Sequence, residues 1–228
     1  TALYFMGKRT DYKTLAFNIR QTARAFTAVG VKRGDSVVLC LPNLPQTVYC
    51  LYALNMLGAV ACMIHPLSAE QEIVSMVAEA SCTYAVTLDQ FANKFNAVKG
   101  LKRLIVTSAS DGLGAVKALA FKLTTGRKYK SRIPESALLW KDFLKAGKAV
   151  NAASHKSGAN DTAVVLFSGG TTGVTKGIRL SNLNFNALAL QTAAMCGRPI
   201  QGTVMLAAMP MFHGFGLGVC IHTMMVAG

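Results

Sequence analysis

Residues 163–177 read AVVLFSGGTTGVTKG, an apolar run followed directly by a glycine-rich stretch. The ten residues from Ser168 to Gly177, called the glycine loop here, contain four glycines, four hydroxyl side chains and one lysine. Glycine lets peptide N–H groups approach a ligand closely, and clustered N–H groups form an anion-binding nest. Because the hydroxyls and the ammonium add further donors, the stretch predicts a strand followed by a loop that binds nucleotide phosphates.

The glycine loop matches neither of two common nucleotide-binding patterns. The P-loop pattern G-x-x-x-x-G-K-[ST] is absent because Gly177 follows Lys176, and G-x-G-x-x-G does not occur in the loop. A plain surface loop is the structural alternative, since Gly, Ser and Thr are common in turns. Two neighbouring features favour phosphate binding over a plain surface loop. An apolar run precedes the loop, and the pattern after it predicts a short return strand at Gly177–Leu180 and a helix N-cap at Ser181.

The glycine loop resembles the signature of the adenylate-forming enzymes, (Ser/Thr)-(Ser/Gly)-Gly-Thr-Thr-Gly-x-Pro-Lys-Gly. Gly169 stands where Ser or Thr is commoner, and Thr175 stands where Pro is usual, which removes a fixed φ. Other segments resemble the same family, in family order from about residue 10 to residue 228: Thr10–Leu15, Val31–Leu39, Leu57–Val60, Pro66–Ser68 and Pro210–Leu217. Within this AMP-dependent synthetase/ligase superfamily, the chain is most similar to the acyl-CoA synthetases, or fatty-acid–CoA ligases.

The resemblance implies an α/β fold with mostly parallel sheets and helices on both faces. Family members are longer, so residues 1–228 are expected to form an incomplete part of the large N-terminal adenylation domain. Three portions are predicted: 1–110 as a first α/β portion, 111–157 as a basic connector, and 158–228 as the phosphate-loop and acyl-site portion.

The resemblance also implies an activity, ATP-dependent conversion of a carboxylic acid to an acyl-adenylate and transfer of the acyl group to coenzyme A. A fatty acid is the expected substrate, with ATP, Mg²⁺ and coenzyme A required, and residues 1–228 alone are expected to be inactive. Two alternatives stay open: a ligase that loads the acyl group onto a carrier protein, and a non-catalytic nucleotide-binding domain.

The resemblance also implies which residues form the site. Lys176 and His213 are the catalytic candidates, and His213 and Phe215 are expected to line the acyl pocket. A lone His among apolar residues is more often structural, so this role comes from the family. No Asp or Glu lies between Gly197 and Gly228, which leaves the ammonium of an amino acid without a partner and favours a plain organic acid. Metal ligands are unassigned, and the expected ATP contacts are Ser168, Gly169, Gly170, Thr171, Thr172, Gly173, Thr175, Lys176 and Gly177.

Composition indicates a globular interior, because hydrophobic residues make up 52% of the chain and charged residues 15%. Residues 36–69 and 199–228 lack Asp, Glu, Lys and Arg, but prolines interrupt both, so buried α/β structure is favoured over a membrane span. Helices are predicted at 12–29, 46–57, 69–80, 91–98, 181–195 and 216–225, and strands at 37–41, 60–64, 84–87, 103–106, 163–167 and 204–207. Six scattered cysteines without a C-x-x-C pair indicate reduced, buried thiols and a cytoplasmic location.

The formal net charge of +14 is concentrated in residues 92–156, which contain 14 Lys and Arg against three Asp and Glu. Two interpretations remain, a solvated basic face and a surface that contacts an anionic membrane. Nucleic acid is not expected as a partner, because Tyr129 and Trp140 are isolated rather than interleaved with the basic residues. Residues 115–123 are predicted to form a short amphipathic helix ahead of most of this charge.

Overall fold

A seven-stranded β-sheet forms the centre of the protein in the computed structural model, which describes residues 1–152, 154–168 and 175–228. Two strands, β1 (Leu3–Phe5) and β2 (Lys8–Thr10), form a separate antiparallel hairpin. The sheet contains β3 (Ser36–Cys40), β4 (Val60–Met63), β5 (Tyr84–Leu88), β6 (Arg103–Thr107), β7 (Leu138–Leu139), β8 (Thr162–Ser168) and β9 (Lys176–Ser181). Its order is β7-β6-β5-β3-β4-β8-β9, and every neighbouring pair is parallel except β8 with β9.

Helices connect the strands, and local signals set their ends. Asp11 accepts a hydrogen bond from the Thr14 N–H at the start of the first helix, and Ser181 caps the helix after β9 in the same way. The α-helices are α1 (Tyr12–Ala28), α2 (Pro45–Leu57), α3 (Glu70–Glu79), α4 (Ala109–Gly112), α5 (Ala115–Leu123), α6 (Trp140–Ala146), α7 (Asn182–Met195) and α8 (Thr223–Ala227). Three 3₁₀ helices span Asp89–Phe95, Thr125–Arg132 and Gly147–Ala149, and a π-helix spans Phe215–His222. Across the described ranges, no helix has both the length and the apolar character needed to cross a membrane.

The sheet is covered on both faces, as the alternation of side chains along its strands requires. One core contains Leu39 of β3 together with Phe26 of α1 and Phe143 of α6. The opposite core contains Val38 of β3 and Ile73 of α3. The predicted α/β class, with a mostly parallel sheet between two helical layers, is therefore confirmed.

One predicted strand is wrong. Residues 204–207 form no strand, and Val204 and Leu206 are 93% and 83% exposed. An apolar run becomes a strand only where a neighbour supplies its ladder, and in the described chain the Asn43 side chain, not a strand, binds the Ala207 carbonyl. Two helices also differ in type from the prediction: 91–98 is replaced by the 3₁₀ helix Asp89–Phe95, and the last helix is a π-helix continued by α8.

Residues 111–157 contain regular structure that joins the sheet. Strand β7 adds to the edge of the sheet beside β6, in parallel register. Helix α6 packs on α1, where Phe143 and Phe26 form an edge-to-face pair with ring centroids 5.0 Å apart. Helix α5 has no buried residue and lies on the surface.

Gly147 is a position where any side chain should destabilise the fold. A Cβ at this residue would lie 2.5 Å from the backbone nitrogen of Ala25 in α1. We expect Gly147→Ala to lower the free energy of unfolding by about 1–3 kcal/mol, because α1 and the 3₁₀ helix must separate. Urea denaturation measures this, with Gly114→Ala as the control, since a Cβ there has no atom within 4 Å. Equal stability of the two variants would contradict the close packing.

Candidate active site

The carboxyl ends of β3, β4 and β8 lie side by side at one edge of the sheet. The chain leaves this edge at Ser168, the last residue of β8, and returns at Lys176, the first residue of β9. Ser168 lies opposite Lys176 in the antiparallel register, so the two arms of the glycine loop start about 4.5–5.5 Å apart. Open parallel sheets bind ligands at this edge, so the predicted phosphate loop is placed where a nucleotide could bind.

The structure describes only the two arms of the glycine loop. Ser168 and Thr175 are half-buried, whereas Lys176 is exposed. The ammonium of Lys176 is therefore free of a burial penalty and can reach an anion at the mouth of the loop. Five of the predicted phosphate contacts lie outside the described residues: Gly169, Gly170, Thr171, Thr172 and Gly173.

Glu79, the last residue of α3, anchors the returning arm of the glycine loop. Its Oε1 atom accepts a hydrogen bond of 2.8 Å from the N–H of Gly177. Gly177 is one of the predicted phosphate contacts, and this bond directs its N–H to a carboxylate instead. The arm is thereby connected to a helix on the second face of the sheet.

A second segment reaches the same edge and is fixed there by Asn43, which follows β3. Residues 207–217 are called the His213 segment here. The Asn43 Nδ2 atom donates to the carbonyls of Ala207 at 2.8 Å and Met209 at 2.9 Å. Its Oδ1 atom accepts from the N–H of Met211 at 2.9 Å. One side chain thus holds three backbone groups of the segment that leads to His213.

The His213 segment also lies next to a side chain that follows β4 and to a side chain of β8. The His65 ring, after β4, lies with its centroid 4.2 Å from that of Phe212. The Nδ1 atom of His65 accepts from the Leu67 N–H at 2.9 Å, which fixes the ring. A Cβ placed on Gly214 would lie 3.5 Å from the Leu166 side chain in β8. The segment therefore lies across the ends of β3, β4 and β8, two residues from the start of the glycine loop.

Gly216 closes the turn of the His213 segment. A Cβ at this position would collide with the Pro210 carbonyl oxygen and would lie 2.5 Å from that of Met209. The turn is therefore compact only with glycine, and it places the His213 carbonyl to accept from the Leu217 N–H at 2.9 Å. Met211 inside the turn is buried at 1% exposure.

His213 and Phe215, the two residues predicted to bind the acid, lie in this turn. Both side chains are exposed, Phe215 at 52%. The Nδ1 atom of His213 accepts a long hydrogen bond of 3.4 Å from the Phe215 N–H. Because Nδ1 is the acceptor, the neutral ring has its proton on Nε2, where it can donate to a carboxylate.

His222 has a structural role. Its Nδ1 lies 3.0 Å from the Tyr52 hydroxyl, and its Nε2 lies 3.2 Å from Oδ1 of Asn186. The ring thus connects α2, α7 and the π-helix. Burial lowers the pKa of His222, which keeps the imidazole neutral within this chain of hydrogen bonds.

The described residues near the site include neither a reactive thiol nor a metal-binding cluster. Cys40 ends β3 near the site, but burial raises the pKa of its thiol to about 12, so it is protonated at neutral pH and a poor nucleophile. All six cysteines are free; five are buried as predicted, whereas Cys196 is exposed. No group of three or more His, Cys, Asp or Glu within the described ranges could hold a metal ion.

Comparison with known proteins identifies the family. Residues 1–228 match the family model described as AMP-binding enzyme. The chain belongs to the AMP-binding enzyme family. It is 29% identical over 224 residues to a long-chain-fatty-acid–CoA ligase of Bacillus subtilis, covering 95% of this chain and 40% of that protein. It is 29% identical over 223 residues to 4-coumarate–CoA ligase-like 1 of Arabidopsis thaliana, covering 96% of this chain and 36% of that protein.

Solved structures share the fold. ATP-bound MatB from Rhodopseudomonas palustris matches with a TM-score of 0.75 at 20% identity, covering 97% of this chain and 39% of that one. The chain thus spans about 40% of the length of the relatives it matches. The family resemblance drawn from the glycine loop is confirmed, and with it the similarity to fatty-acid–CoA ligases.

Sequence reasoning missed the residues that position this candidate site. Asn43, His65 and Glu79 contact the predicted segments but belong to no motif used to find them. A signal existed for two of them, since each is a polar residue within three positions of the carboxyl end of an apolar strand, Asn43 after β3 and His65 after β4. No sequence signal pointed to Glu79, because its partner Gly177 lies 98 residues away in the chain.

Proposed function

We propose that the full-length protein is an ATP-dependent acid–thiol ligase that converts a fatty acid to its acyl-adenylate and then to its coenzyme A thioester. One observation supports this most strongly. The arms of the glycine loop and the His213 segment lie at one edge of the sheet, so the predicted phosphate contacts would be close to an exposed histidine and aromatic ring. An enzyme that joins a carboxylate to a nucleotide needs those two sites side by side.

The proposed first step joins two anions. A carboxylate oxygen of the acid attacks the α-phosphorus of ATP, the new O–P bond forms, and the bond to the pyrophosphate oxygen breaks. In this proposal the donors of the glycine loop bind the phosphates, and Lys176 offsets the negative charge that concentrates on them in the transition state. Ser168 and Thr175 add hydroxyl donors from the two arms. The thiol of coenzyme A then displaces AMP from the acyl carbon.

The proposed acid site consists of His213 and Phe215. The Nε2–H group of His213 would donate to the substrate carboxylate and orient it toward the glycine loop. Phe215 would form an apolar wall for the acyl chain, because its ring is half exposed beside the histidine. Residues 198–227 contain no carboxylate that could pair with an ammonium group.

Mg²⁺ belongs to this proposal only as a companion of ATP. The residues that the structure describes do not fit a protein-held Mg²⁺ site, so no step is assigned to the ion. Residues 1–228 by themselves are proposed to be inactive, as an incomplete part of the adenylation domain. A cytoplasmic location with peripheral membrane contact through residues 92–156 is also part of the proposal.

A matched pair of acids tests the proposed substrate class. We expect the full-length protein to use octanoic acid with a kcat/KM roughly 30-fold or more above that of 2-aminooctanoic acid, because the added ammonium has no partner to offset its desolvation. Longer straight-chain acids should improve in turn, by up to ~0.8 kcal/mol for each buried methylene, until the pocket is full. Acid-dependent ATP–pyrophosphate exchange measures adenylation for each acid.

The same assay distinguishes the alternatives. Exchange without thioester formation from free coenzyme A would indicate a carrier protein as acceptor. No exchange with any acid would indicate a non-catalytic domain. Preference for the amino acid would refute the proposed acid site.

A further inference from the structure

Helix α5 presents an apolar face to solvent, although a surface helix normally exposes its polar face. Val116, Leu119 and Leu123 are 84%, 60% and 55% exposed. At about 100° per residue, Leu119 and Leu123 project within about 60° of Val116, so the three side chains form one stripe. Ala118 and Phe121 lie on the opposite side and are the half-buried residues that attach the helix to the protein.

Two lysines border the apolar stripe. On the same helical projection, Lys117 lies about 100° to one side of Val116 and Lys122 about 120° to the other. Both are exposed. Lysines flanking an apolar stripe are typical of helices that lie in a membrane interface, where the ammonium groups reach the headgroups while the stripe enters the acyl layer.

The surroundings of α5 extend the same pattern. Residues 112–134 contain six Lys and Arg and no Asp or Glu. The Lys117 Nζ atom donates to the Met6 carbonyl at 2.8 Å, which places the tip of the β1–β2 hairpin beside the helix. Met6 at that tip is 61% exposed and adds a further apolar group.

We infer that α5 is a membrane-docking helix that inserts Val116, Leu119 and Leu123 into an anionic lipid surface. The inference rests on the proposed contact of residues 92–156 with such a surface and narrows it to one helix face. Charge complementarity selects the occupant, because every charged residue in 112–134 is basic and lipid headgroups supply dense negative charge. The stripe consists of three side chains, whereas a stable protein interface contains about 20–30 residues on each side.

Vesicle binding in the absence of ATP and acid tests the inference separately from catalysis. The full-length protein is expected to float with phosphatidylcholine vesicles that contain phosphatidylglycerol, and only weakly with phosphatidylcholine alone. The double variant Val116→Ser/Leu119→Ser should partition roughly tenfold less, because it removes most of the inserted apolar surface. The double variant Lys122→Glu/Arg127→Glu should lose binding similarly, with a steep salt dependence.

Matched controls lie on other surfaces of the chain. Leu190→Ser on α7 removes a leucine that is 62% exposed, and Arg198→Glu reverses an exposed charge after α7. Both should bind vesicles like the wild type. As a direct readout, Leu119→Trp should show a blue-shifted emission on anionic vesicles, against a constant background from the buried Trp140.

Three other outcomes would each overturn the inference. Failure of the wild type to float with anionic vesicles rejects membrane docking altogether. Loss of binding only in the charge variant leaves an electrostatic contact through residues 92–156 but rejects insertion of α5. A change in oligomeric state of the serine variant, with vesicle binding intact, would assign the stripe to a protein contact.

Discussion

Replacing Lys176 by alanine is expected to slow acid-dependent ATP–pyrophosphate exchange by roughly 30- to 1,000-fold, a loss of about 2–4 kcal/mol of transition-state stabilisation. Lys176 is the only fully charged residue in the glycine loop. It starts β9 opposite Ser168 and is exposed at the mouth of the loop. No neighbouring residue of the loop could replace its charge, so the effect should be large.

The matched control is Arg179→Ala, three residues further along the same strand and also exposed. Its exchange rate should equal that of the wild type. Lys176→Arg should retain part of the activity, because it keeps the charge but changes its position. If Lys176→Ala exchanged pyrophosphate at the wild-type rate, the lysine would have no part in phosphate binding.

Replacing Asn43 by alanine is expected to lower kcat/KM for the acid about 100-fold while changing the KM for ATP much less. The variant loses all three hydrogen bonds that seat the His213 segment and leaves the Met211 N–H without its partner. A small displacement of a substrate-positioning group can reduce the rate by about this factor. Thermal unfolding should also show a loss of about 1–3 kcal/mol from the unpaired backbone group.

Two variants separate positioning from general destabilisation. Asn43→Asp keeps an oxygen for the Met211 N–H but cannot donate to the two carbonyls, so it should fall between wild type and alanine. Asn96→Ala removes an exposed asparagine after the first 3₁₀ helix and should be neutral. Equal losses in the acid and ATP parameters of Asn43→Ala would indicate partial unfolding instead of a displaced histidine.

The sequence predicted the first half of the sheet well because its signals are local. The strand–helix–strand unit of β3, α2 and β4 was placed within one residue at each end. Its apolar runs are bounded by Pro45 and by Gly58, which ends α2 in a left-handed conformation. Such boundaries depend on neighbouring residues only, so sequence reasoning could find them.

The same reasoning failed where the decisive contact is distant. Residues 204–207 have the composition of a strand, but Asn43, more than 160 positions away, binds the carbonyls at the end of that run. Glu79 and Gly177 meet across two elements, and no pattern in either segment predicts their bond. The motifs therefore pointed to the two segments of the candidate site, whereas the residues that hold these segments in place were found only in the three-dimensional structure.

The bond between Glu79 and Gly177 makes the charge distribution around the glycine loop asymmetric. A carboxylate lies at the returning arm, whereas Ser168 at the departing arm has only a neutral hydroxyl. Lys176, the residue before Gly177, has the opposite charge, so the returning arm has both a cation and an anion near it while the departing arm has neither. Because opposite charges close together form a local dipole, an anion between the arms would be attracted toward Lys176 and repelled from Glu79. In the proposed reaction, this dipole would give a bound polyphosphate one preferred orientation between the two arms.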